Sequence, residues 1–264
     1  MNLSKLKHIS IGLIIMFLSM SFMQEDNYYV IYIKGSAINT VSNRTVRMGD
    51  LLKITDKIVL KDGNSKLVLI HPNKGRVEIT PKSAAKGLTV KDQITSIQSE
   101  SRIISRPLKY EGYNPRTYFH SPETNYRVLL VTGVPLKIIP FYKLDYQNFF
   151  YLSWEKNGEQ IARKIPASDR GIYFNSSVFG DTNEFVNGQK VKFCYQHYEY
   201  GTLKNDVLAE FVPVIAPLSE INQQITLIRK YSSQKETRVI NALITLHLND
   251  NYGKVGSEYL LSIR

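Results

Sequence analysis

The chain has 264 residues, 43% of them apolar, enough for one large core or two small ones. A formal charge of +11 admits nucleic acid, anionic lipid or an acidic polymer as partner. No Lys/Arg run exceeds two residues, however, and neither helix-turn-helix nor zinc-finger spacing occurs. The single cysteine, Cys194, excludes an internal disulfide, so folding rests on core packing.

Residues 1–23 have the layout of a secretory signal peptide. Lys5, Lys7 and His8 precede an uncharged apolar run from Ile11 to Phe22. Ser19-Met20-Ser21 supplies small residues at a cleavage position, and Gln24-Glu25-Asp26 turns polar at once. The run is shorter than the roughly 20 residues that span a bilayer. The expected location is therefore periplasmic or secreted in a bacterial envelope, with an uncleaved inner-membrane anchor as the alternative. No cysteine ends the leader, which argues against a lipoprotein anchor.

Residues 28–80 read as a compact β-module. Tyr28–Ile33 is dense in β-branched and aromatic residues. Asn43-Arg44 and Gly49-Asp50 are turn signals, because Asn and Gly accept positive φ and Asp bonds its own backbone. Leu51–Ile54 and Lys57–Leu60 are short strands. Asp62-Gly63 predicts a hairpin returning along Lys66–Ile70. His71–Gly75 predicts another turn, and Arg76–Ile79 alternates with period two.

The order Val30-x-x-Ile33-x-Gly35, Met48-Gly49-Asp50-Leu51-Leu52, Ile58-Val59-Leu60, Gly63 and Lys66-Leu67-Val68-Leu69 resembles the periplasmic β-domain of FecR-like proteins. Gly49, Asp50 and Leu52 match the family's G-D-x-L step, and the resemblance covers about a fifth of the chain. It implies a β-fold and supplies no catalytic residue. Few residues precede the apolar run, so no counterpart of the anti-sigma segment of the family's regulators is expected, and the regulatory role is not expected to carry over.

Residues 81–107 are small and polar with scattered Ile, the texture of a linker holding at most a short helical turn. In Tyr110–Thr124, turn-rich and aromatic, Tyr110, Tyr113, Tyr118 and His120, with Phe119, form a candidate surface for a sugar or peptide. The competing reading is a loop pinned to the body by its aromatics.

A second β region spans residues 108–216. Arg127–Val131, Leu136–Ile139 and Phe149–Trp154 read as strands. Asn157-Gly158 predicts a type I′ turn into Gln160–Ile165. Gly171–Phe174, an Asn187-Gly188 turn, Lys190–Tyr195 and Ala209–Ile215 follow. Short strands at regular spacing indicate a sandwich, and Trp154 before an Asn-Gly turn resembles an immunoglobulin-like strand. Cys194 and His197, three apart on a strand, face opposite sides, so Cys194 reads as a buried core residue.

Residues 217–264 change period. Ile221, Ile225 and Ile228 lie on one helical face, with Ser219 as N-cap. Val239, Ile240, Leu243, Ile244 and His247 mark a second helix, although alternation there also suits a strand. Residues 257–263 suggest a last short helix. His247 reads as a packed core histidine. Asn249-Asp250-Asn251 lacks the glycine and distal glutamate of a calcium loop, and no two histidines stand at zinc-site spacing.

The fold expected is mainly β, in the order FecR-like module, linker, immunoglobulin-like sandwich and C-terminal helices. No cofactor and no metal is indicated. The expected function is a non-enzymatic envelope binding or scaffold protein whose partner is an envelope protein or an anionic glycan. Export argues against nucleic acid, and contact with a membrane is expected only through an uncleaved leader. The alternatives are a membrane-tethered signalling component, or a hydrolase of cell-wall polymers drawing its carboxylate pair from Glu155, Glu159 and Asp169.

Overall fold

A computed structural model describes residues 26–81, 88–93, 95–96, 113–138, 140–180, 188–233 and 236–256. The leader, Tyr110, Asn187 and the helix expected at 257–263 lie outside the described residues. Among those described, no helix is long and apolar enough to cross a membrane. The protein is mainly β with a helical C-terminal part. It divides into two compact units, one within Met1–Glu100 with Lys230–Ser233, the other within Ser101–Arg229 with Gln234–Arg264.

The first unit contains β1 (Asn27–Lys34), β2 (Ala37–Asn39), β3 (Arg44–Thr45), β4 (Leu51–Lys53), β5 (Ile58–Leu60), β6 (Lys66–His71), β7 (Gly75–Ile79), α1 (Val90–Gln93) and β8 (Thr95–Ser96). One sheet has the order β4-β1-β6-β7-β8 and a smaller one the order β3-β2-β5. β6 lies third of five, which is why Leu67, Val68, Leu69 and Ile70 form an unbroken apolar run: both faces of the strand are buried. Tyr28, Val30, Leu52, Ile58, Leu67 and Leu69 meet in one core.

The Asp62-Gly63 turn does not make the expected hairpin. β5 pairs with β2, whereas β6 pairs with β1 and β7. Ser65 N–H donates to the Asp62 carbonyl at 2.9 Å, so a tight turn forms and hands the chain from one sheet to the other. Part of the region read as linker packs into this unit. Val90 is fully buried, its N–H bonds the Asp56 carbonyl at 2.7 Å, and Gln93 Nε2 donates to the Ile58 carbonyl at 3.1 Å.

The second unit contains α2 (Pro115–Tyr118), a 3₁₀ turn (Pro122–Thr124), β9 (Arg127–Thr132), β10 (Pro135–Leu136), β11 (Phe149–Lys156), β12 (Glu159–Lys164), β13 (Ala167–Ser168), β14 (Gly171–Tyr173), α3 (Ser176–Phe179), β15 (Val191–Glu199), β16 (Thr202–Pro217), α4 (Leu218–Tyr231) and α5 (Thr237–Tyr252). Its main sheet has the order β12-β11-β15-β16-β9, and a second sheet has the order β10-β14-β13. Leu136 and Ile172 of the small sheet join Phe150, Leu152, Trp154, Phe193 and Phe211 of the large one in a single core. Phe119 stacks on Phe193 with centroids 4.4 Å apart and lies 4.5 Å from Phe211.

β11 and β12 turn at Asn157-Gly158 with φ +54° and +82°, as a type I′ turn requires. β15 and β16 are longer than their sequence suggests. They run on to a second tight turn at Tyr200-Gly201, with φ +50° and +77°. β9 joins β16 in parallel, Arg127 opposite Val212 through Thr132 opposite Pro217. This pairing departs from the purely antiparallel ladders of an immunoglobulin sandwich.

Residues 238–248, compatible with either period, are helical. α4 begins at Leu218, which puts Ser219 inside its first turn rather than at the cap. α4 buries Ile221, Gln224, Ile225 and Ile228, and α5 buries Ile244, His247, Leu248, Asn251 and Tyr252. The buried polar groups bond one another. His247 Nε2 lies 2.9 Å from Gln224 Oε1, Gln224 also donates to the Tyr252 hydroxyl, and that hydroxyl donates to Glu220. An amide oxygen can only accept, so His247 carries its proton on Nε2. His247 is thus the packed core histidine that its apolar face suggested.

Candidate functional site

The aromatic loop expected to face a partner is built into the second unit. Asn114 caps α2 by accepting from Arg116 N–H at 3.0 Å, and Pro115 takes the first helical position, where no donor is required. This turn puts Tyr118 and Phe119 in the core, 3% and 0% exposed. Tyr113 is half-buried, its ring 4.3 Å from that of Tyr118. His120 is exposed and meets Tyr126 edge to face at 5.5 Å. The structure thus gives three of these four residues different environments, and Tyr110 lies outside the described residues.

The other residues weighed from sequence are also dispersed. Cys194 is buried across from Tyr151 on one face of β15. His197 stacks on Tyr195, rings parallel within 10° and 5.1 Å apart. Burial raises the Cys194 thiol above its ordinary value, the opposite of what a nucleophile needs. Burial beside Cys194 also pushes the Tyr151 phenol up to about 12. Glu155 and Glu159 stand at the turn end of the β11–β12 hairpin, whereas Asp169 follows its other end, about 17 Å away along the strand. Among the described residues, no group of three His, Cys, Asp or Glu side chains is placed to hold a metal ion.

At that other end the second unit opens into a cleft of about 540 Å³. Phe149, at the start of β11, forms one wall, and Lys164, at the end of β12, places its ammonium 4.2 Å from the Phe149 ring centroid. Tyr146, Asn148 and Asp145 line one rim, and Ser168 and Asp169 the other. The cleft thus joins an aromatic face capped by a cation to carboxylate, amide and hydroxyl groups. That is the chemistry of a recognition site, in which stacking supplies contact and polar groups fix orientation.

The rim is rigid for identifiable reasons. Lys143 pairs with Asp145 at 3.0 Å, and one Asp145 oxygen accepts from Asn148 N–H, Asn148 Nδ2 and Gln147 N–H at 2.8–2.9 Å. The lysine first, then these amides, hold the Asp145 carboxyl well below the usual carboxylate range. Asn148 Oδ1 accepts from Tyr198 N–H at 2.9 Å, and the Tyr195 hydroxyl donates to the Lys143 carbonyl at 2.7 Å. The loop before β11 is thereby stapled to β15.

Beside the cleft lies the face of the main sheet turned away from the core. Register puts Phe149, Gln196 and Asn205 in one row, Tyr151, Cys194 and Val207 in the next, and Tyr198 opposite Leu203 beyond them. The Tyr151 hydroxyl bonds Asn205 Oδ1 at 3.3 Å. None of Phe149, Lys164, Tyr146 or Tyr198 stands out in the sequence as a site residue. The usable signal was Tyr200-Gly201 inside an alternating run, a two-residue turn that fixes which side chains share a face. No family model, no curated protein and no solved structure matches the chain.

Proposed function

We propose that the protein is an exported binding module of the bacterial cell envelope, not an enzyme, and that the cleft between Phe149 and Lys164 holds its partner. On this reading residues 28–80 act as a FecR-like β-module and residues 108–216 as an immunoglobulin-like sandwich that carries the site. The leader pattern of residues 1–23 supports export. The observation that carries the binding role is the Phe149 ring under the Lys164 ammonium at 4.2 Å in an open cleft edged by Asp145, Asn148, Ser168 and Asp169. An acidic glycan fits this lining: a sugar face stacks on the aromatic ring, its acid group meets Lys164, and its hydroxyls meet the rim carboxylates and amide. The chain's charge of +11 favours the same class of partner.

The test is retention of purified envelope glycans, acidic and neutral, on the immobilised protein. Phe149→Ala and Lys164→Ala should each weaken retention about tenfold, the scale of one lost stacking or cation–π contact. Glu159→Gln, at the far turn of the hairpin, should leave it unchanged. Equal retention by all four proteins would remove the cleft from the proposal. Intact mass and cell fraction test the export half separately.

A further inference from the structure

We infer that the end of the second unit bearing the Tyr200 turn is an interfacial anchor: Phe141, Tyr146 and Tyr200 enter the headgroup region of a lipid bilayer whose surface need not be anionic. Of the eight exposed large apolar residues described in this unit, six lie at this end: Phe141, Leu144, Tyr146, Tyr198, Tyr200 and Leu203. Tyr200 is 95% exposed, Phe141 86% and Tyr146 80%. Rings this bare make almost no contact with their own protein, so packing does not account for them.

The backbone points the same way. Pairing of β15 with β11 stops at Gln196, but the β15–β16 ladder continues to Glu199 opposite Thr202. The hairpin therefore projects about 10 Å past its neighbour. At its tip Tyr200 holds φ +50°, a position where Asn or Gly is preferred and an aromatic side chain is disfavoured. An exposed aromatic kept at a strained position calls for a role outside folding.

Two ion pairs close on themselves beside the tips, Lys143 with Asp145 at 3.0 Å and Lys204 with Glu199. These pairs leave no excess of positive charge around the Tyr200 tip, so anionic lipid adds little to its attachment. The tip suits the membrane–water interface, where Tyr places its ring among acyl chains and its hydroxyl among headgroups. Aromatic rings on projecting tips would need a matching socket in a rigid partner, whereas a fluid surface closes around them. The bonds from Lys143, Gln147 and Asn148 to β15 fix the loop beside the hairpin, so little freedom is lost on docking.

The test uses the full chain carrying Tyr200→Trp. Trp154 is buried, 2% exposed, and supplies a constant background. Vesicles are made of brominated phosphatidylcholine, alone or mixed with phosphatidylglycerol. The reading at position 200 is local, so attachment through the apolar leader does not mimic it. Emission from position 200 should shift to the blue and be quenched on both vesicles, alike at low and high salt. Val41→Trp, at a site 63% exposed in the first unit, should not be quenched. Adding Phe141→Ser and Tyr146→Ser should weaken tip insertion about tenfold or more, since each takes away a ring that the bilayer would cover. Absence of quenching overturns the proposal. So do quenching confined to anionic vesicles and abolished by salt, equal quenching at position 41, and indifference to the serine substitutions. Loss of glycan retention in Lys164→Ala with tip quenching intact would separate this anchor from the cleft.

Discussion

Tyr200 shows how one residue can serve folding poorly and still be explained. The first position of a type I′ turn needs φ near +55°, which crowds the Cβ of most residues against the backbone. Asn tolerates that conformation, as Asn157 does at +54° in the β11–β12 hairpin of the same sheet. Tyr200 is 95% exposed, so replacing its ring removes no packing. Tyr200→Asn should therefore stabilise the second unit by about 1 kcal/mol, read as a higher urea midpoint with an unchanged slope. The same substitution removes the aromatic tip, so a more stable protein should insert less well into vesicles.

At the level of elements, the turn joining β6 to β7 couples folding to pH. His71 is buried, and its Nδ1 accepts from Asn73 and Lys74 N–H, both at 3.0 Å. Its Nε2 faces Asp26 at 3.3 Å. Burial lowers the pKa of His71, and the nearby Asp26 only partly opposes this. A proton on Nδ1 would also break both turn bonds. The folded form thus favours neutral imidazole, while the unfolded chain takes up a proton near pH 6.5. Stability from this group is complete above that pH and is lost as pH falls through the lower folded value. The urea midpoint should fall between about pH 7.5 and 5.5, and His71→Gln should flatten that slope. An unchanged slope in the variant would assign the pH dependence elsewhere. In the C-terminal helices, Gln224 and His247 solve a related problem differently. Gln224, His247, Tyr252 and Glu220 bond one another there, so the helices pack through a hydrogen-bonded network as well as through Ile221, Ile225, Ile244 and Leu248.

Across the whole molecule, stability rests on two cores. Leu69 lies among Tyr28, Val30, Leu67 and Val77 in the first, and Phe193 among Phe119, Phe150 and Phe211 in the second. Both residues are fully buried. Leu69→Ala should cost about 2–5 kcal/mol and Phe193→Ala about 3–5 kcal/mol, each combining lost burial with a residual cavity. Hydrogen exchange read strand by strand checks both. Leu69→Ala should lower protection in β1, β6 and β7, and Phe193→Ala in β11, β15 and β16.

What the sequence determined by itself is local. Period-two alternation and β-branched residues placed β1, β6, β7, β9, β11 and β12. Asn157-Gly158 set its turn, and the Ile221–Ile225–Ile228 spacing set α4. These features follow from side-chain direction and φ preference within a few residues, so a linear pattern carries them. The tertiary structure alone decided which strand pairs with which. Asp62-Gly63 turns the chain as its residues demand, yet β5 and β6 enter different sheets, because pairing depends on apolar faces far apart in sequence. The parallel join of β9 to β16 is equally non-local, linking residues about 85 apart. The site obeyed the same division. Tyr113 and Tyr118 are aromatic residues in a turn-rich loop, the pattern of a contact surface, but the cap at Asn114 directs Tyr118 inward. Phe149 and Lys164 become neighbours only once the hairpin closes, and Tyr200 becomes a projecting tip only because β11 ends three residues short of the turn's base. Exposure is a property of what fails to cover a residue, and that is fixed by the rest of the chain.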